Sequence, residues 1–139
     1  MTDAVEAILA LWQGLPEDDR EARDAFSRVY AEHVTVNGVE LTLDELVARA
    51  RALQQAVTGL TPELLERVEA GDKLVVAFLM HGRHTGTLRT SIGEVPATGR
   101  DVTLRGMDVL TFTDGRITRI TVLADELGLL SSLDAVTLR

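Results

Sequence analysis

The hydrophobic period of this chain is mostly helical before Gly71-Asp72 and mostly strand-like after it, and that change limits the folds open to it. Upstream, apolar residues recur at helical spacing; downstream, they alternate or run together as in strands. Val5, Ile8, Leu9 and Trp12 make one face of a first helix, which Gly14 and Pro16 interrupt. A second helix can start after Pro16, with Glu17, Asp18 and Asp19 at the positive end of its dipole. Its inner face is Ala22, Ala25, Phe26, Val29 and Tyr30. Residues 33–36 alternate like a strand, and Asn37-Gly38 signals a turn. Thr42-Leu43-Asp44-Glu45 is a capping box, opening a helix that carries Leu46, Val47, Ala50, Leu53 and Val57 and stops near Gly59.

Residues 62–70 have a helical local preference, yet they lead into the Gly71-Asp72 turn. Strands are predicted over 73–86, 101–113 and 116–124, the last two joined by an Asp114-Gly115 hairpin turn. Residues 87–98 hold Ser91, Gly93 and Pro96 and read as a loop, and 125–133 as a short helix. Helices followed by hairpin-connected strands give an α+β fold with a curved, mainly antiparallel sheet. With 139 residues and no linker, residues 1–139 form one domain.

Composition removes several function classes. A formal charge of −8 argues against a nucleic-acid binder, which needs a basic face for phosphates. There is no cysteine, which excludes disulfides, thiolate nucleophiles and iron–sulfur clusters. The longest wholly apolar run, residues 74–80, is far short of the ~20 residues a membrane span needs. Asp3 and Glu6 stand where a signal peptide would be basic, so a cytoplasmic location is expected.

Five short motifs follow one another in the second half. They are Gly82-Arg83-His84-Thr85-Gly86, Ala97-Thr98-Gly99-Arg100, Gly106-Met107-Asp108-Val109, Phe112-Thr113-Asp114-Gly115-Arg116-Ile117 and Asp125-Glu126-Leu127-Gly128-Leu129-Leu130. In order and spacing the chain resembles the SnoaL-like polyketide cyclases, within the nuclear-transport-factor-2-like and ketosteroid-isomerase-like superfamily. The likeness covers nearly the whole chain. It implies a cone-shaped barrel: a strongly bent sheet wrapped around the helices, an apolar pocket at one end, and a strand over 62–70. It also implies ring closure in a polyketide by intramolecular aldol chemistry, without metal or organic cofactor. The acid/base aspartate of the family matches Asp125, and its strand histidine matches His84. Relatives pair through the outer sheet face, which implies a homodimer covering Val109, Ile120 and Val122. Thr121, Arg119 and Ser132 replace a family tryptophan, glutamate and glutamine, so the resemblance reaches the pocket fold and not a particular polyketide.

The residues themselves support a short list. Unbroken alternation puts Ile117, Arg119, Thr121, Leu123 and Asp125 on one face, so an inward Thr121 brings Asp125 inward. A carboxylate walled by apolar groups has a raised pKa and suits proton transfer. Asp125 is equally a good N-cap for the helix it precedes. His84 shares a face with Val76, Phe78 and Met80, and titrates naturally near neutrality. Asp108, with Leu110 and Phe112 on its face, is a second carboxylate for the pocket or its rim. Tyr30 and His33 are candidates for the pocket mouth, with packing and surface roles as the alternatives, and Trp12, Phe78, Met80, Met107 and Phe112 are expected as core or apolar wall. His81 and His84, three apart in a strand, face opposite ways and do not share a metal. No Gly-x-Ser-x-Gly elbow or phosphate loop is present. Arg105 and Asp108 lie on opposite faces, which disfavours an epoxide hydrolase.

The expected function is therefore a cofactor-independent cyclase or isomerase acting on an apolar carbonyl metabolite. Asp125 would be the base, with His84, Thr121 or Tyr30 holding the enolate oxygen. The alternatives are a non-catalytic small-molecule binder of the same fold, an epoxide hydrolase-type variant, and a purely structural or dimerising domain.

Overall fold

A computed structural model describes residues 2–139. Two helices, α1 (Thr2–Gln13) and α2 (Asp19–Ser27), lead into β1 (Tyr30–Val36) and β2 (Val39–Thr42). Then come α3 (Leu43–Ala56), β3 (Val57–Ala70), β4 (Lys73–His84), β5 (Leu88–Thr90), β6 (Gly93–Val95), β7 (Asp101–Thr113), β8 (Arg116–Ala124) and α4 (Glu126–Ser132). The helix starts follow their caps. Asp18 accepts from the Glu21 N–H at 3.0 Å, and Thr42 and Glu45 satisfy each other's backbone in a full capping box. Asn37 and Gly38, at φ 48° and 84°, make the tight β1–β2 turn.

The main sheet has six strands in the order β2-β1-β8-β7-β4-β3, antiparallel throughout except for β1 against β8. It stays open, with β2 and β3 as edges, so the cone is not a closed barrel as expected. Residues 62–70 do join the sheet, inside a β3 that begins at Val57 directly after α3. Pairing with β4 along nearly its whole length overrides the helical preference of this segment, and Pro62 is tolerated because β3 is an edge. The predicted loop over 87–98 contains the small β5–β6 hairpin. Its tip is tied to α4 through Ser91 and Glu126.

One core cluster fills the space between α1, α2, α3 and the sheet. Phe26 is fully buried there and stacks on Tyr30 with ring centres 5.2 Å apart, while Trp12 meets Phe26 edge-on at 6.0 Å. A second cluster, including Val57, Met80, Leu88, Val102, Leu129 and Leu133, lies toward the hairpin and α4.

A bulge in β8 decides what the sheet presents inward. Phe112 pairs with Ile117 and Thr111 with Arg119, leaving Thr118 as an extra residue. Ile117 and Ile120 are consequently both buried, three residues apart. From there Ile120, Val122 and Ala124 face the interior, and Arg119, Thr121, Leu123 and Asp125 are exposed. This overturns the unbroken alternation expected for β8. It also removes Ile120 and Val122 from the outer face expected to dimerise.

Candidate functional site

The two N-terminal helices stop short of filling the sheet's concave side. A cavity of about 210 Å³ remains between α1, α3 and the strands β4, β7 and β8. Val5, Ile8, Leu9 and Trp12 of α1 form one wall, Leu46 and Leu53 of α3 another, and Val76, Phe78 and Met80 of β4 part of the floor. Gly106 makes room for Phe78, its partner across the strands: a Cβ there would stand 2.6 Å from the ring's far carbon. The lining is almost wholly apolar, which gives its few polar groups unusual weight.

Asp108 is the most unusual of them. It sits in β7 between Val76 of β4 and Val122 of β8, both of which also line the cavity. Among the described residues its buried Oδ1 has no hydrogen-bond partner. Burial pushes its pKa up to about 6 from the ordinary 3.8. Its proton is thus exchanged much closer to neutrality than an ordinary carboxyl's, and its buried oxygen is unsatisfied.

Tyr30 lines the same cavity, 2% exposed, in its wall and not at the mouth as expected. Its hydroxyl accepts from the Trp12 indole N–H at 2.9 Å. Burial drives its ionisation well above the usual phenol range; the Trp12 bond opposes this, and the Asp108 charge adds to it. The phenol therefore keeps its proton. With Trp12 occupying one acceptor position, that proton is available to an oxygen in the cavity. Gln54 holds Trp12 in place: its amide donates to the Leu11 and Trp12 carbonyls at 2.9 and 3.2 Å, and its oxygen accepts from Leu15 N–H at 3.2 Å.

Of the residues expected at the site, Tyr30, Phe78, Met80 and Asp108 share this cavity. The others lie elsewhere. Phe112 packs, half-buried, against the main core beyond the cavity wall. Thr121 is exposed on the outer face. Asp125 is exposed at the end of β8, where its Oδ1 accepts from Gly128 N–H at 2.9 Å as the N-cap of α4. His84 is fully buried, but off the cavity lining. Its Nδ1 is 2.9 Å from the Thr98 hydroxyl and accepts from the Thr98 backbone N–H at 3.3 Å, which places the ring proton on Nε2. Its backbone bonds Gly99 and Arg100, so His84 clamps the segment after β6 to β4. The structure brings Asp108, and not Asp125 or His84, to the cavity.

Trp12 lines the cavity, as its place among the core or wall residues implied, and Arg49 lines it without having been singled out. Trp12 carried a signal, the helical face it shares with Val5, Ile8 and Leu9; a charged residue on an amphipathic helix such as Arg49 carries none. Among the described residues, no three His, Asp or Glu side chains converge as a metal-binding group, and no helix is long and apolar enough to cross a membrane.

Comparison with known proteins adds a family and a fold. The family model for SnoaL-like polyketide cyclase matches residues 2–133. No curated protein matches the sequence. Among solved structures, TsrD from Streptomyces laurentii is 23% identical with a TM-score of 0.81, over 97% of this chain and 95% of its own. AclR from Streptomyces galilaeus is 15% identical with a TM-score of 0.76, over 98% and 96%. A SnoaL-like polyketide cyclase from Agrobacterium tumefaciens is 17% identical with a TM-score of 0.76, over 95% and 96%. These three likenesses are of fold.

Proposed function

This chain belongs to the SnoaL-like polyketide cyclase family, and from that membership and the cavity we propose a ring-closing aldol reaction in which Asp108 is the base. The Asp108 carboxylate takes a proton from a carbon next to a carbonyl, and the Tyr30 O–H donates to the enolate oxygen that forms. The carbon nucleophile attacks a second carbonyl of the same molecule, making the carbon–carbon bond. The resulting alkoxide recovers the proton from Asp108. No oxidant, metal or organic cofactor enters this balance. An apolar wall that folds the substrate so its reacting carbons meet can supply ~7–11 kcal/mol of barrier reduction. The role that the resemblance gives to Asp125 passes in this proposal to Asp108.

The observation that supports the reading is a carboxyl, Asp108, in the lining of an apolar cavity that it shares with the protonated phenol of Tyr30, with one of its oxygens buried and unpartnered. The test is turnover of a cyclisable poly-ketone by Asp108→Asn and Asp125→Asn. Asp108→Asn should lose the ~10²–10⁴ that general acid–base catalysis contributes. Asp125→Asn should stay within twofold of wild type, because Asn caps a helix as well as Asp. The opposite pattern returns the base to Asp125; full turnover in both removes both carboxylates from the reaction, and no turnover by wild type leaves a non-catalytic binding cavity.

A further inference from the structure

Two residues of opposite formal charge, Asp108 and Arg49, line the cavity. Leu46, Arg49 and Leu53, at i, i+3 and i+7 on α3, all line it, and Arg49 is exposed to solvent while doing so. Its stem covers apolar wall and its head stays in water, an ordinary arrangement for a long cationic side chain. Arg23, Arg51, Arg67, Arg89 and Arg100 each pair with a carboxylate. Among the described residues, Arg49 has neither a carboxylate nor a hydrogen-bond acceptor. That freedom is shared by other arginines, Arg20, Arg28, Arg105 and Arg119 among them, but none of those lines the cavity. Arg49 is a cation without a partner beside an apolar cavity whose buried wall holds Asp108.

We propose that Arg49 is the anion-recognition residue of this cavity and that its substrates are small carbonyl compounds bearing a carboxylate remote from the reacting carbon. This rests on the ring-closing reading above and narrows its substrate class. Two charges fix the orientation. Ionised Asp108 repels an anionic group from the buried wall, and the planar fork of Arg49 matches a carboxylate at the exposed one. Size narrows the class further. An apolar cavity of ~150 Å³ holds one benzene, so about 210 Å³ takes a single ring with a short chain or a fused pair. A larger ring system has to leave part of itself outside, next to Arg49.

Trp12, the single tryptophan, lies in the cavity wall and reports occupancy by its fluorescence. The full chain is titrated with 4-acetylbenzoate and with its methyl ester, which differ in the charge and by one methyl group. Wild type should bind the acid about tenfold tighter than the ester, as a charge-assisted pair predicts. Arg49→Gln should bind both alike, and Arg49→Glu should prefer the ester. Equal affinity of wild type for both ligands, or an acid preference surviving in Arg49→Gln, overturns the role of Arg49 and leaves the ring-closing reading standing. Binding of neither ligand overturns the substrate class; if Asp108→Asn also keeps full turnover of a poly-ketone, the ring-closing reading falls with it.

Discussion

The Trp12 indole N–H donates to the Tyr30 hydroxyl across 2.9 Å, joining the end of α1 to the start of β1. Tyr30→Phe removes the acceptor and leaves the indole N–H unpaired in a partly buried site, which costs about 1–3 kcal/mol. It also removes the donor assigned to the enolate oxygen, so turnover should fall ~10²–10³-fold. Adding Trp12→Phe should recover part of the stability and none of the rate. Thermal melts and turnover of the two single variants and the double variant check both parts. A Tyr30→Phe protein at full rate removes Tyr30 from the mechanism.

Asp108 should make stability fall as pH rises. The folded chain holds its proton up to about pH 6, whereas the ordinary group releases it at 3.8. Between those values the native state binds more protons than the unfolded one. Stability is therefore lost through that window, and the loss is complete above it, amounting to at most about 3 kcal/mol at 1.36 per pKa unit. Asp108→Asn cannot ionise, so its stability relative to wild type should be greatest at pH 7.5 and shrink toward pH 4. Urea unfolding at both pH values measures this. The wild-type kcat/KM should rise through the same region and level off above about pH 6.

Gly106 sets the position of Phe78. An added methyl would lie 2.6 Å from the ring, so Gly106→Ala must swing the ring off the strand and toward the cavity. Overpacking of this kind costs about 1–3 kcal/mol. Titration followed through Trp12 should show weaker ligand binding, alongside a lower melting temperature. Unchanged affinity would mean that the ring moves away from the cavity instead.

The outer face of the sheet is where a second copy is expected. Met107 and Leu123 are cross-strand partners there, 49% and 79% exposed. Ala77, Val75 and Val109 continue the same face in register. Apolar surface of this extent favours association. Light scattering should give twice the 15.1 kDa chain mass, and Leu123→Glu should return it to the single mass. A single mass for wild type at micromolar concentration refutes the dimer.

The legible parts of the fold were those with local grammar. The Asp114-Gly115 turn and its flanking alternation marked β7 and β8 to the residue, and the Thr42 capping box marked the start of α3. β3 had no such grammar, because an edge strand exposed at Glu63, Glu66 and Glu69 shows neither period. The β5–β6 hairpin is too short to alternate visibly. At the site, Phe78, Met80 and Asp108 followed from strand parity, while Thr121 and Asp125 were put on the wrong face by a bulge that leaves no mark in the sequence. His84 was placed on the inner face of β4 as expected, and only tertiary packing shows that Thr98 occupies its ring.

The extra residue in β8 is the one that pairs with nothing across the strand, and this makes it a reserve of length. Excising Thr118 would leave Ile117 opposite Phe112, Arg119 opposite Thr111 and Ile120 opposite Leu110, so the strand would alternate regularly with Ile120 and Val122 still facing the cavity. A lineage that shed that codon would keep the same wall on a straighter strand.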